Sequence, residues 1–185
     1  CSNGTRGVFS VSGNMDYITI ATTGNASVFG TISPSRSTYS GVGDGTRGIF
    51  GGGSSSTNNI DYVTIATTGN STDFGDLTQG RHAISACGSA TRGVFGGGFG
   101  GPYVNILDYI TMATTGNAID FGNLSTTRGY TGSTSNLSRG VWGGGFSNSG
   151  ATNIIEYVTI ASTGNTTDFG DLALAHYGMG GLSGA

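Results

Sequence analysis

Short runs of β-branched and aromatic residues alternate along this chain with clusters of glycine, serine, threonine and asparagine. Tyr62-Val63-Thr64-Ile65-Ala66 is β-branched and aromatic with no helical period, which predicts a strand there and at its equivalents. Thr68-Gly69-Asn70 supplies residue types that tolerate positive φ, so a hairpin to a strand around Phe74 is expected. Arg47-Gly48-Ile49-Phe50 reads as a short strand stopped by glycines. His82-Ala83-Ile84-Ser85-Ala86-Cys87 reads as a strand of small residues suited to a crowded position.

These segments recur. Four units align on Thr5-Arg6-Gly7-Val8-Phe9, Thr46-Arg47-Gly48-Ile49-Phe50, Thr91-Arg92-Gly93-Val94-Phe95 and Ser138-Arg139-Gly140-Val141-Trp142. Each continues into an acidic residue before Tyr (Asp16, Asp61, Asp108, Glu156) and a Thr-Gly-Asn turn ending at Asn25, Asn70, Asn117 and Asn165. A Phe-Gly pair follows at Phe29, Phe74, Phe121 and Phe169, then a second basic position at Arg36, Arg81, Arg128 and His176. The acidic residue and the second basic position stand 20 apart in every unit, and that position stands 11 before the next Thr-Arg-Gly-type arginine. From that arginine to the acidic residue the spacing is 10, 14, 16 and 17. All length variation therefore sits in one loop, behind the trios Gly51–Gly53, Gly96–Gly98 and Gly143–Gly145.

Four short strands in each unit of about 45 residues predict an all-β chain, a β-propeller of four-stranded antiparallel blades, or part of a larger one. A β-solenoid has shorter rungs and no need of four differing strand types. The whole chain, 1–185, reads as a single repeat domain with repeats near 1–45, 46–90, 91–137 and 138–185. Blades counted from Arg36, Arg81 and Arg128 would instead make three complete ones. The fourth would then join residues 5–35 to a first strand from His176 to Ala185. Cys1-Ser2-Asn3-Gly4 and Leu182-Ser183-Gly184-Ala185 hold the same repeat positions, so the two ends duplicate each other. An opening Cys1 in place of Met points to processing or to an excerpt from a longer array.

Composition narrows the function classes. Glycine accounts for 37 of 185 residues, but proline is scarce and no strict Gly-X-Y period exists, which excludes collagen. Charged residues make up 9%, lysine is absent and the net charge is −3, so there is no basic footprint for nucleic acid or anionic lipid. Apolar runs are too short to insert in a membrane, and the first residues show no signal-peptide pattern.

A basic residue opening strand one, glycines ending strand two, an acidic-flanked aromatic strand three and an aromatic in strand four run in order from Arg81 to Leu124. This pattern resembles the kelch repeat and covers essentially the whole chain. It departs in carrying Phe for the usual strand-four Trp, in placing the acidic residue before Tyr, and in having only four units. The first unit is degenerate, with Ser10-Val11-Ser12 for the glycines and Val28 and Thr31 for the Asp pair. The wording Thr-Arg-Gly-Val-Phe-Gly-Gly-Gly, Asp-Tyr-Val-Thr-Ile-Ala-Thr-Thr-Gly-Asn and Asp-Phe-Gly-Asp-Leu resembles repeats in structural or tail-associated proteins of marine cyanobacterial phages. That resemblance implies a virion component whose partners are other virion proteins or a host-surface glycan or protein. It would be oligomeric or part of a larger assembly.

The charged residues argue against catalysis. Of 17, only Asp44 stands outside the repeat register, whereas an active site needs different residues in different roles. The expected role is structural: Arg6, Arg47, Arg92 and Arg139 tied to Asp16, Asp61, Asp108 and Glu156. Asp73/Asp76 and Asp168/Asp171 read as turn caps rather than an acid–base pair or calcium ligands. His82 and His176 lack partners at metal spacing, and no cofactor is expected. Cys1 and Cys87 share a repeat position two units apart, too far for a disulfide. The glycine trios lack the lysine and helix of a phosphate loop.

Twelve of the 18 aromatics occupy three register positions and read as core. Phe99, Tyr103 and Phe146 lie in the variable loops and, with Asn58, Asn59 and Asn148, form the candidate binding set. Loops of changing length that expose aromatics suit recognition. The expected function is a non-enzymatic virion adhesion module that displays variable loops. The alternatives are a carbohydrate-binding lectin-like propeller and an intracellular, cytoplasmic interaction scaffold.

Overall fold

The computed structural model describes residues 1–181, whose regular structure is all strand apart from one 3-10 turn at Ser54–Ser56. The first sheet has three strands, β1 (Arg6–Val11), β2 (Asn14–Thr19) and β3 (Ser27–Thr31). The second has four: β4 (Ser40–Gly43), β5 (Arg47–Gly51), β6 (Asn59–Thr64) and β7 (Thr72–Asp76). The third repeats this with β8 (Ser85–Gly88), β9 (Arg92–Gly96), β10 (Ile106–Thr111) and β11 (Ile119–Asn123). The fourth begins with β12 (Gly132–Ser135) and β13 (Arg139–Gly143) and interposes a hairpin, β14 (Phe146–Ser147) and β15 (Gly150–Ala151). It ends with β16 (Ile154–Thr159) and β17 (Thr167–Asp171). Every pairing is antiparallel and joins chain neighbours, except that β13 pairs with β16 across the interposed hairpin. The strand expected at Tyr62–Ala66 begins and ends earlier, at Asn59–Thr64, because the chain turns at Thr64, whose carbonyl accepts from Thr67 N at 3.2 Å.

Complete sheets thus run from the link that carries the second basic residue, not from the Thr-Arg-Gly arginine. In the first sheet Cys1–Asn3 take the strand-one place. Ser2 bridges Gly7, and Val8 N donates to the Cys1 carbonyl at 2.8 Å. Of the first strand expected at His176–Ala185, residues 182–185 lie outside the described residues. Gly178 N donates to Tyr130 O at 2.8 Å, as Tyr130 N does to Ala83 O at 2.8 Å, so residues 176–181 follow the path of an incoming strand one.

The apolar residues of each strand face its neighbouring sheets, so the core is divided into three layers. Phe29, Met15, Phe50 and Ile65 fill the layer between the first and second sheets. Phe74, Ile60, Phe95 and Met112 fill that between the second and third, and Phe121, Leu107, Trp142 and Ile160 that between the third and fourth. Among the described residues no such layer joins the fourth sheet to the first.

Backbone hydrogen bonds stitch each seam. Thr-Gly-Asn lies in the connection of the expected hairpins β6–β7, β10–β11 and β16–β17, but not through a positive-φ asparagine: Asn70, Asn117 and Asn165 keep negative φ, and the segment lies along strand four of the preceding sheet. Gly69 N donates to Phe29 O at 2.8 Å, Gly116 N to Phe74 O at 2.7 Å and Gly164 N to Phe121 O at 2.7 Å. The Asn side chains accept in return, Asn70 Oδ1 from Thr31 N, Asn117 Oδ1 from Asp76 N and Asn165 Oδ1 from Asn123 N, each at 3.0 Å. The Phe-Gly glycine makes this possible. A Cβ at Gly75 would lie 2.4 Å from Gly116 O, and one at Gly122 would lie 2.3 Å from Gly164 O.

Candidate binding face

In each sheet a β-bulge falls just before the acidic residue, at Met15/Asp16, Ile60/Asp61, Leu107/Asp108 and Ile155/Glu156. The extra residue is the strand-four Phe, and in the second, third and fourth sheets the acidic side chain is buried. There it meets the second basic residue: Arg36 with Asp61 at 2.5 Å, Arg81 with Asp108 at 2.7 Å, and Arg128 with Glu156, all buried. Burial pushes the Asp61 carboxyl up, while the Arg36 guanidinium pulls it back down. Burial likewise lowers Arg128 against the opposing pull of Glu156. Arg36 Nε and Arg81 Nε also donate to Gly52 O at 2.7 Å and Gly97 O at 2.9 Å, so one guanidinium fixes the link to both strand three and the glycine trio.

The Thr-Arg-Gly arginines therefore do not make the predicted carboxylate ties. Arg6, Arg47, Arg92 and Arg139 instead lie over the rings of Tyr17, Tyr62, Tyr109 and Tyr157, at 4.2 to 4.8 Å from the ring centres. Arg6, Arg47 and Arg92 donate across the seam to the carbonyls of Ile65, Met112 and Ile160, each at 3.1 Å. A strand-two arginine is directly opposite strand three (Arg47 faces Thr64), which carries it to the sheet edge and away from the buried Asp61. Asp16 is exposed and makes no ion pair among the described residues.

Asp44 proves to be in register after all. Its Oδ1 accepts from Thr46 N at 2.8 Å and Arg47 N at 2.7 Å, the bonds that Asn3 and Asn136 make in their own units. Asp73, Asp76, Asp168 and Asp171 are strand residues of β7 and β17, not turn caps. No group of three or more metal-ligating side chains comes together among the described residues. Cys1 is exposed and Cys87 buried, both as free thiols; burial pushes the Cys87 thiol up to about 12.

The glycine trios hold the loops against the next link. Gly53 N donates to Arg81 O at 3.0 Å, Gly98 N to Arg128 O at 2.8 Å and Gly145 N to His176 O at 2.8 Å. A Cβ at Gly52 or Gly97 would lie 2.4 Å from the carbonyl of Arg81 or Arg128. Variable loops and links consequently interleave at one end of the sheets. His82 and Phe99 exchange backbone hydrogen bonds at 3.0 and 2.8 Å, as do Gly129 and Phe146 at 3.0 and 2.8 Å.

This interleaving brings the predicted aromatics together. Ring centres of His82 and Phe99 are 5.4 Å apart, Phe99 and Tyr103 5.1 Å, Tyr103 and Phe146 6.2 Å, Phe146 and Tyr177 4.9 Å, and Tyr177 and Tyr130 6.5 Å. The result is a continuous strip that crosses two sheets. Phe99, Tyr103 and Phe146 are half-buried and Tyr130 and Tyr177 exposed. The Tyr103 phenol is pushed up by burial and by the phenols of Tyr130 and Tyr177 beside it. Tyr39, the remaining aromatic outside the register positions, joins Tyr130, Ile84 and Met179 around an adjacent hollow of about 230 Å³.

The asparagines separate. Asn148 is exposed at the β14–β15 turn and lines an open cavity of about 670 Å³ with Thr126, Thr127, Ser149 and Asn153. Asn58 is exposed, but its carbonyl is taken by Leu77 N at 2.7 Å. Asn59 pairs with Asp76 in the β6–β7 ladder, and its side chain accepts from the Thr57 hydroxyl, so it belongs to the frame. His82, Tyr130 and Tyr177 were not in the predicted set. Their signal was position: each follows a link residue by one or two places, and links and variable loops leave antiparallel sheets on one side. Among the described residues no helix is long and apolar enough to cross a membrane. No protein-family model and no curated protein matches the chain.

Proposed function

We propose that this chain is a non-enzymatic recognition module, a kelch-like propeller array in which the loop end binds and the stacked sheets only support. One observation carries the proposal. Five of the six aromatics outside the register positions, contributed by two loops and two links, form one strip, while nearly all charged side chains with buried heads serve the frame. Large aromatic surface held on a rigid support, with no convergent set of acid, base and nucleophile beside it among the described residues, suits binding rather than turnover. The propeller assignment is supported by strand ones that lie side by side, with Ser133 Oγ and Ser135 Oγ of β12 donating to Ala86 O and Gly88 O of β8 at 2.8 and 2.9 Å.

We further propose that the module is a virion structural or adhesion component whose partner is a host-surface molecule or another virion protein. The phage-like wording of the repeats supports this. The lectin-like alternative is favoured by a specific feature, the hydroxyl- and amide-lined cavity around Asn148 beside the aromatic strip. Aromatic faces next to such donors suit sugar rings. A glycan array separates the two: spots retained by the chain and lost with Tyr177→Ala support sugar binding. A blank array, with binding to host cells or source particles, supports a protein partner. Absence of all three would end the recognition proposal.

A further inference from the structure

Loop and link touch in the third unit and part in the fourth. Gly100, just behind its glycine trio, lies so close to the link before Arg81 that a Cβ there would stand 2.9 Å from Gln79 Nε2 and 3.0 Å from Gly80 O. Ser147, Thr126 and Thr127 hold the same places in the fourth unit, and they line the open cavity of about 670 Å³ instead. Both walls of that cavity lie between β11 and β16, inside the array.

The arginine behind the link accounts for the parting. Arg36 Nη1 donates to Pro34 O at 3.3 Å and Arg81 Nη1 to Gln79 O at 3.0 Å, which holds each link down. Arg128 is as deeply buried, but its partner is the longer Glu156 side chain, reached through Nη2. Its Nε and Nη1 have no partner among the described residues. The Thr126 carbonyl, at the place of Pro34 and Gln79, is left without its arginine.

The lining decides what the cavity takes. Thr126, Thr127 and Asn148 are exposed and Asn153 is half-buried, and their side-chain hydroxyls and amides have no hydrogen-bond partner among the described residues. Such groups both donate and accept, which matches the hydroxyls of a sugar. Ala151 and Ile154 add apolar contact for the C–H face of a sugar ring. No charged side chain lines the cavity, the Arg128 charge is paired with Glu156, and the chain carries a net −3. A carboxylated or sulfated sugar would find no free cation there and would meet a field of its own sign. The volume is that of an ordinary small-molecule site.

We infer that this cavity holds a neutral sugar unit, gripped by Thr126 and Thr127 from the link and by Asn148 and Asn153 from the loop. The inference rests on the reading of the loop end as the recognising end, and it names the ligand class that the fourth unit selects. The third unit has the same place closed by Gly100 against Gln79 and Gly80, so the site belongs to one unit and not to the repeat.

The test is saturation-transfer NMR on the whole chain. The neutral probes are the methyl glycosides of glucose, galactose, mannose and N-acetylglucosamine; the acidic ones are sialyllactose and a sulfated galactoside. At least one neutral glycoside should receive saturation and, on titration, bind at least about tenfold more tightly than either acidic probe. The double variant Thr126→Val/Thr127→Val, isosteric and at exposed positions, should weaken that binding at least about tenfold. Binding of acidic probes alone, binding of no probe, or undiminished binding by the folded double variant overturns the inference. Attachment to host cells, measured on the same preparation, separates this outcome from the wider reading. Attachment without sugar binding ends the sugar assignment and leaves the loop end a recognition surface, whereas loss of both ends both. Should the double variant fail to fold, Asn148→Ala at the exposed hairpin turn is read in the same way.

Discussion

The seams between sheets and the loop end of the same sheets are built from the same polypeptide by opposite rules. Across the seams, each unit repeats the others atom for atom in kind: an arginine on a carbonyl, an asparagine on an amide, a glycine where a Cβ would collide. At the loop end the units agree only at the anchor residues and then diverge. Ser54–Ser56 make a 3-10 turn, Phe99 bridges Tyr103, and residues 146–151 form a hairpin. Uniform seams can accept these differences because each loop is pinned at its ends, by its glycine trio, the residue after it and the link, while the length between is free to vary. Packing sets the first region, and chemistry outside the chain sets the second.

The largest effect should come from the buried ion pair. Arg81→Ala leaves Asp108 without its partner and should cost about 3–5 kcal/mol in chemical denaturation. The double variant Arg81→Met/Asp108→Leu should cost less than Arg81→Ala alone, because no buried charge then remains.

Next in size is the seam glycine. Gly75 and Gly170 share positive φ, +145° and +135°, so alanine strains both backbones alike, but only Gly75 faces a neighbouring carbonyl. Gly75→Ala should therefore be about 1–3 kcal/mol more destabilising than Gly170→Ala. Equal costs would mean that the seam is looser than it looks.

Smaller again is the outer arginine. Arg47 both stacks on Tyr62 and donates to Met112 O, whereas among the described residues Arg139 only stacks. Arg47→Ala should cost about 1–2 kcal/mol and Arg139→Ala less than about 1 kcal/mol. The smallest perturbation is chemical: a thiol reagent at pH 8 should label Cys1 and spare Cys87, whose burial suppresses the thiolate, until the chain unfolds.

Much of the frame was legible in the sequence because spacing reports it directly. Constant intervals marked the strands, and the variable interval marked the loop that carries Phe99 and Tyr103. The partner of each arginine was not legible. Both basic positions share one period with the carboxylates, and strand register decides between them: Asp61 pairs with Phe50, three residues from Arg47, so Arg47 and Asp61 lie on opposite faces of the sheet, whereas Arg36 enters from the link. Likewise Thr-Gly-Asn has the composition of the hairpin turn it helps to form, but its backbone also lies against the preceding sheet where a Phe-Gly glycine admits it, a long-range contact invisible to local pattern. For the binding face, the loop aromatics were legible. The contribution of Tyr130 and Tyr177 depended on how links and loops interleave in space.

The most direct test of a frame separable from its recognising end is the triple variant Tyr103→Ser/Tyr130→Ser/Tyr177→Ser, which touches no seam. Its thermal midpoint and its binding to host cells should be measured on the same preparation. The account predicts a midpoint within a few degrees of wild type and binding reduced at least about tenfold; unchanged binding by a folded variant would contradict it.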